Sequence, residues 1–365
     1  MKLDEKFMEI AIGLAKEAEG RTSPNPIVGA VVVKNKRIVG KGYHKMAGLP
    51  HAEKTALRQA KDKAKGADLY VTLEPCDHYG RTPPCTDSII ESGVRRVVIG
   101  MLDPNPVNSG RGMSALRKNR IKTTVGTLEA KVRAINKPYI KSITTGRPYV
   151  TLKVAQTLDG KIAARSGDSK WISGEYSRRS VHELRSKVDA VMVGVNTILK
   201  DDPLLTVRIP GLTLKKPPAR IIVDSTLKTP LQSNIIKASG KAPVIIATTK
   251  KAGTRRMAEY RKKGAEIIVV DGKNGRVDLP QLLKRIAQKG INHILVEGGG
   301  ELIAGILKEG LADHVKVFIA PKIIGGKDSP TSVGGRGIGK VKDALLVRNA
   351  KIANSGEDFM IEGDV

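Results

Sequence analysis

The sequence predicts an α/β protein of two domains, and three observations carry that expectation. The chain has 365 residues, more than one hydrophobic core usually organises. Short runs rich in Val and Ile alternate with segments of helical periodicity, the pattern of sheets layered with helices. The helical stretch that ends in TTG gives way at Arg147-Pro148 to the strand pattern YVTLK, which sets a boundary at Gly146 and domains of 1–146 and 147–365.

Each element has its own reason. In DEKFMEIAIGLAKEAEG, Phe7, Ile10, Leu14 and Ala18 recur at helical spacing, and TSPNP then breaks the pattern. VGAVVVK and KRIVGKGY read as strands around the turn Lys34-Asn35-Lys36. AEKTALRQAKDKA predicts a helix, DLYVTLE a strand, PCTDSIIESG a short helix ending at Gly93, and RRVVIG a strand. GMSALRKNR and IKTTVG add a helix and a strand, and one long helix from Leu128 to about Ile143 completes the first domain. Beyond the boundary, DAVMVG, ARIIVDS, APVIIATT, AEIIVV, NHILVEGGG and VKVFIAP read as buried strands, mostly separated by helices, of a second sheet.

The charge balance is strongly basic: 64 Lys+Arg against 36 Asp+Glu gives +28. Phosphate neutralisation by such a chain would favour nucleic acid. Aromatic residues are only 3%, however, too few for base-stacking platforms. The basic residues are also dispersed (KDKAK, RKK, KRIAQK) rather than gathered, so a solvated basic surface is expected and a nucleic-acid partner is not. The start, MKLDEKFMEIAIGLAKEAEG, lacks the apolar stretch of a signal peptide, and no run approaches the ~18 apolar residues of a membrane span. A cytoplasmic location is expected, where a structural disulfide is disfavoured. Oligomeric state is left open, a homo-oligomer included.

The two cysteines of the chain both lie in EPCDHYGRTPPC, and upstream stands PHAEKTAL. His51-x-Glu53 followed by Pro75-Cys76 and Cys85 is the pattern of zinc deaminases. One imidazole and two thiolates supply three ligands to Zn²⁺ and leave a fourth position for water, whereas a structural site would be closed by four protein ligands. Pro75-Cys76 and Pro84-Cys85 are each expected near a helix start, where the dipole favours a thiolate. Glu53, two residues from His51, does not share its helix face and reads as the proton carrier, base toward water and acid toward the ring and leaving ammonia. His44 and His78 are competing ligands, with His78 better suited to substrate contact.

TSPNPIVGAVVV, HAE, TLEPCDHYGRTPPC and DPNPVNSGRG together resemble the bifunctional riboflavin-biosynthesis deaminase/reductase family. The likeness continues through PYVTLKVAQTLDGKIA, SGDSKWIS, VGVNTILKDDPLLTVR and VEGGGELIAGIL and so covers nearly the whole chain. The resemblance implies a cytidine-deaminase-like three-layer domain followed by a dihydrofolate-reductase-like domain. It implies removal of the 2-amino group from 2,5-diamino-6-(5-phosphoribosylamino)pyrimidin-4(3H)-one, then reduction of the ribosyl group to ribityl with NADPH.

The residues alone give the second domain only an anion-binding turn. Glu297-Gly298-Gly299-Gly300 joins strand HILVE to helix ELIAGILKEG, where phosphate can approach free backbone N–H groups, though with Ile303 in place of glycine it is no Rossmann fingerprint. The resemblance assigns Gly299, Gly300, Glu301, Leu302, Ile303, Ala304 and Gly305 to NADPH, with Ala155, Trp171, Thr197, Asp201 and Ser225. It assigns Ser169, Arg185, Leu205, Arg208 and Glu297 to the phosphoribosyl pyrimidine. Arg185 and Arg208 would grip its phosphate, and Glu297 would accept from ring or ribose donors. Lys153 is a further candidate for the ribose, and TLDG stands where the family commonly has SLDG.

Overall fold

A computed structural model describes residues 2–79 and 83–365; Gly80, Arg81 and Thr82 of the cysteine loop lie outside the described residues. The chain divides into two compact units, Met1–Gly146 and Arg147–Val365. No helix among the described residues is long and apolar enough to cross a membrane.

The first unit runs α1 (Leu3–Lys16), β1 (Gly29–Lys34), β2 (Arg37–Tyr43), α2 (Ala52–Ala60), β3 (Asp68–Leu73), α3 (Cys85–Glu91), β4 (Arg96–Met101), α4 (Arg111–Lys118), β5 (Lys122–Val125), α5 (Glu129–Ile135) and α6 (Lys137–Thr145). Its sheet has the order β2-β1-β3-β4-β5, with β1 antiparallel to β2 and β3 and the last three strands parallel. Asn35 and Lys36, both at positive φ (50° and 61°), make the tight turn between β1 and β2.

Helices cover both faces of this sheet, and glycines show why. A Cβ on Gly29 would stand 2.0 Å from the Ala11 carbonyl of α1. A Cβ on Gly42, which pairs with Ala30 and so faces the other way, would stand 2.4 Å from the Ala52 carbonyl of α2. The result is three layers around one core of β1, β3 and β4 valines and leucines.

Two expectations are corrected here. The buried stripe of α1 is Phe7, Met8, Ala11, Ile12 and Ala15, with Ile10 and Leu14 only half-buried and Ala18 beyond the helix end. The close approach at Gly29 turns the small Ala11 and Ala15, rather than the large residues, toward the sheet. The single helix from Leu128 to Ile143 is two helices broken at Asn136. There the side chain leaves the helix to bridge Ile27, accepting from its N–H (3.0 Å) and donating to its carbonyl (3.1 Å), and Pro138 suits the first turn of the next helix.

The second unit runs β6 (Tyr149–Thr157), α7 (Glu175–Lys187), β7 (Ala190–Gly194), α8 (Val195–Asp201), β8 (Ala219–Val223), α9 (Asn234–Lys237), β9 (Val244–Thr249), α10 (Thr254–Lys262), β10 (Glu266–Val270), β11 (Gly272–Lys273), β12 (Arg276–Val277), α11 (Leu279–Ala287), β13 (His293–Val296), α12 (Gly300–Lys308), β14 (His314–Ala320), β15 (Arg348–Ser355) and β16 (Asp358–Asp364). The large sheet has the order β10-β9-β8-β7-β13-β6-β14-β16-β15, parallel from β10 to β14 and closed by the antiparallel β16 and β15. β11 and β12 form a separate small hairpin.

Alternate residues of the central strands enter two cores: Ala190 and Met192 on one face, Val191 and Val193 on the other. β14 is half-buried rather than buried, because the largely exposed β16–β15 hairpin follows it in the sheet. The parallel strands all deliver their C-terminal ends to one side, where open α/β sheets bind ligands. Gly194, Ser225, Thr249 and Glu297 therefore emerge on the same edge as Ala155 of β6.

Candidate active sites

In the first unit His51 is the N-cap of α2 and Glu53 is buried in its first turn. Cys85 opens α3, and Cys76 lies in the loop after β3 rather than at a helix start of its own. Cys76 still faces a helix N-terminus, that of α3: the Cys85 N–H lies 3.0 Å from the Cys76 carbonyl and 3.4 Å from its Sγ. His51 Nδ1 stands 3.2 Å from Cys85 Sγ and 3.6 Å from Cys76 Sγ. The donor atoms of His51, Cys76 and Cys85 all lie within 4.8 Å of one another.

This donor set fits zinc. Ordinary Zn–N and Zn–S bonds in a tetrahedron place N and S about 3.6 Å apart, close to what is found. The thiols share one proton: the Cys85 S–H and then His51 hold Cys76 down to about 4, while the same Cys85–Cys76 hydrogen bond keeps the Cys85 proton on. A cation is what replaces that proton. Burial raises the Glu53 carboxyl above its usual range, the condition for a group that must hold a proton and release it.

A cavity of about 410 Å³ opens on this cluster, lined also by Asn25, His44, His78 and Tyr139. His44 is not free to ligate. Its Nδ1 donates to the Pro50 carbonyl (3.3 Å), so Nε2 accepts from the Asn25 amide (3.0 Å), a neutral ring whose pKa burial lowers. His78 Nδ1 is buried without a hydrogen-bond partner among the described residues. Two positioning residues escaped the sequence reading. Buried Glu74 accepts from the N–H groups of Asp103, Gly110 and Met113 at 3.0–3.1 Å. Buried Asn108 accepts from the Asp77 N–H at 2.9 Å, and together they fix the loop that carries Cys76. Their signal lay in the company of EPC and DPNPVNSGRG, which contacts explain and spacing alone does not.

In the second unit a cavity of about 1050 Å³ lies over the C-terminal strand ends. Ala155, Trp171, Thr197, Asp201, Gly299, Gly300, Glu301 and Ile303 of the expected cofactor residues line it, with Ser169, Arg185, Arg208 and Glu297 of the expected substrate residues. Leu302 and Leu205 are instead buried in the two cores. Ala304, Gly305 and Ser225 are not in the cavity lining; Ser225 stands just past β8, its Oγ accepting from the Val277 N–H at 3.1 Å.

The turn into α12 needs its glycines: Gly298 and Gly299 have φ of 146° and 77°, closed to most side chains. Gly300 is tightly covered, its carbonyl accepting from Gly334 N–H at 3.1 Å. This open backbone at a helix N-terminus fits the phosphates of a dinucleotide.

The expected roles of Arg185 and Glu297 change. Arg185 Nε and Nη2 bind the two Glu297 oxygens at 2.5 and 2.7 Å, and Nη1 donates to the Thr206 carbonyl at 2.9 Å. Burial pushes Glu297 upward, but Arg185 outweighs it and holds the carboxyl below its usual value. Arg185 is thus spent on a buried ion pair. The Arg208 guanidinium has no hydrogen bond or ion pair among the described residues and is the cation open to phosphate. Lys153 projects from β6 into the same cavity, its pKa lowered by burial.

α7 adds Arg178 and His182, which with Arg185 recur at helical spacing on one cavity-facing stripe. Arg178 covers the Trp171 ring at 4.7 Å. Reading α7 for its cationic face would have found both.

Comparison with known proteins covers both units. Residues 1–101 match the family model described as the cytidine and deoxycytidylate deaminase zinc-binding region, and residues 148–361 match the RibD C-terminal domain. The riboflavin biosynthesis protein RibD of Aquifex aeolicus (strain VF5) is 48% identical over 99% of this chain and 98% of its own. Among solved structures, a RibD of Acinetobacter baumannii has a TM-score of 0.90 at 32% identity, covering 100% of this chain and 99% of its own. A diaminohydroxyphosphoribosylaminopyrimidine deaminase/5-amino-6-(5-phosphoribosylamino)uracil reductase of Thermotoga maritima has 0.84 at 39% identity, covering 99% and 98%. The chain belongs to the RibD family.

Proposed function

We propose that this chain carries out two consecutive steps of riboflavin biosynthesis, one in each unit. The first replaces the 2-amino group of 2,5-diamino-6-(5-phosphoribosylamino)pyrimidin-4(3H)-one by oxygen from water and releases ammonia. The second reduces the ribosyl side chain of the product, giving 5-amino-6-(5-phosphoribitylamino)uracil. The observation that carries this reading is that each unit gathers a complete and different set of groups around its own cavity.

His51, Cys76 and Cys85 hold zinc, which supplies a Lewis acid that acidifies water near neutral pH. Glu53 takes a proton from the attacking water and delivers it to the ring and the departing amine. Its burial excludes solvent from that transfer, and His78 offers its free ring nitrogen to the substrate. In the second unit NADPH supplies hydride, its phosphates received at Gly299-Gly300 and its flanks by Ala155, Trp171, Thr197 and Asp201. Arg208 binds the substrate phosphate, Lys153 and Ser169 hydrogen-bond the sugar, and Glu297, held by Arg185, presents a fixed acceptor. The ligands are small molecules in the cytoplasm, with no nucleic acid required.

Separation of the two activities tests the assignment. Cys76→Ser should lose zinc and ammonia release, yet oxidise NADPH at the normal rate when given the deaminated intermediate. Ammonia release at the wild-type rate from zinc-free Cys76→Ser would refute the metal assignment.

A further inference from the structure

We infer that Lys251 and Arg276 form the subsite for the 2′-phosphate on the adenosine of NADPH and are what selects it over NADH. This rests on the reading of the second unit as the NADPH-dependent reductase. The cofactor residues mark a path across adjacent strand ends, from Ala155 on β6, past Gly299 after β13 and Thr197 after β7, to Ser225 after β8. Those three strand spacings amount to about 14 Å, so a dinucleotide laid along them has its adenosine at β8 and its outer edge at β9.

That outer edge is basic. The Ser225 carbonyl accepts from the Thr249 N–H (3.3 Å) and Oγ1 (2.9 Å), which ties the end of β9, and Lys250-Lys251 after it, to Ser225. From the other side the β11–β12 hairpin closes in, with the Val277 N–H on Ser225 Oγ and Arg276 immediately before it. Lys251 Nζ reaches this hairpin, 3.5 Å from where a Cβ on Gly275 would stand. It makes no hydrogen bond or ion pair among the described residues.

Lys250, by contrast, is paired with Asp271 at 3.4 Å. Arg276 meets Glu301, a cavity-lining residue, through Nη1 alone at 3.0 Å, so its remaining donors are free. A phosphomonoester dianion placed here meets one free ammonium, one part-used guanidinium and the Ser225 hydroxyl. A 2′-hydroxyl in the same place gives these cations nothing to pair with.

Trp171 is the chain's only tryptophan and lines the cavity, so nucleotide binding can be titrated by its fluorescence without turnover. The full-length protein should bind NADP⁺ more tightly than NAD⁺. Lys251→Ala and Arg276→Ala should each weaken NADP⁺ binding by about tenfold or more, with NAD⁺ affinity unchanged, as expected for lost charge-assisted bonds. Lys251→Arg should restore the preference. Full NADP⁺ preference in the Lys251→Ala, Arg276→Ala double variant would overturn the subsite while leaving the reductase reading intact. Binding of neither nucleotide by the wild-type protein would overturn both.

Discussion

At the scale of single residues, what distinguishes the two sites is how each disposes of a buried charge. Glu53 is buried beside a cluster that awaits a cation, so its carboxyl is pushed toward the protonated form and becomes a proton carrier. Glu297 is equally enclosed but meets Arg185, so it stays ionised and becomes a fixed acceptor. Glu53→Gln should retain zinc by metal analysis and lose deamination by at least about 10²-fold; near-normal turnover would assign the proton to another group. Glu297→Gln leaves Arg185 buried with half its partner, and unfolding followed by Trp171 fluorescence should show a loss of about 3 kcal/mol. Arg208→Ala should raise KM for the deaminated intermediate about tenfold and leave ammonia release unchanged; an unchanged KM would place the phosphate elsewhere. The zinc ligands were legible because a metal demands particular side chains at recognisable spacings. The Arg185–Glu297 pair was not, because 112 residues separate its members and nothing in either segment records that they meet.

At the scale of elements, hydrophobic patterning located most helices and strands and failed where a specific contact overrode it. Asn136 breaks a helix that periodicity carries through, for the sake of two hydrogen bonds to Ile27. The β15–β16 hairpin escaped because RNAKIANS lacks the apolar alternation of a half-buried strand. The parallel seam of β6 and β13 makes a pH prediction. His293 is buried against Thr151 Oγ1 (2.9 Å) and the Tyr149 ring, and burial depresses its pKa to about 4. An unfolded histidine titrates near 6.5, so above that pH the ring is neutral in both states and adds no pH dependence. As pH falls below 6.5 the unfolded chain gains a proton that the folded one refuses. Stability should then fall by up to about 1.4 kcal/mol per pH unit until about pH 4. Denaturant midpoints of wild type and His293→Gln between pH 7 and pH 5 test this. An equal decline in both would mean the histidine is not the source.

At the scale of the whole molecule, the sequence placed the chemistry better than it explained the charge. The boundary was visible because Gly and Pro interrupt the pattern where one sheet's helices end and the next sheet begins. The net charge of +28 remains without a role in either reaction. If it is solvated surface, tRNA binding should fall steeply between 50 and 200 mM salt, as purely electrostatic association does. Sub-micromolar tRNA binding that survives physiological salt would mean that the surface recognises nucleic acid. The central claim, that one chain couples a zinc deamination to an NADPH reduction, is tested most directly by giving the purified protein the diaminopyrimidine substrate and NADPH. Ammonia and the nicotinamide absorbance are then followed in the same cuvette. One ammonia released per NADPH oxidised, with ammonia leading, is the predicted result; NADPH oxidation without ammonia, or ammonia with no NADPH consumed, would contradict it.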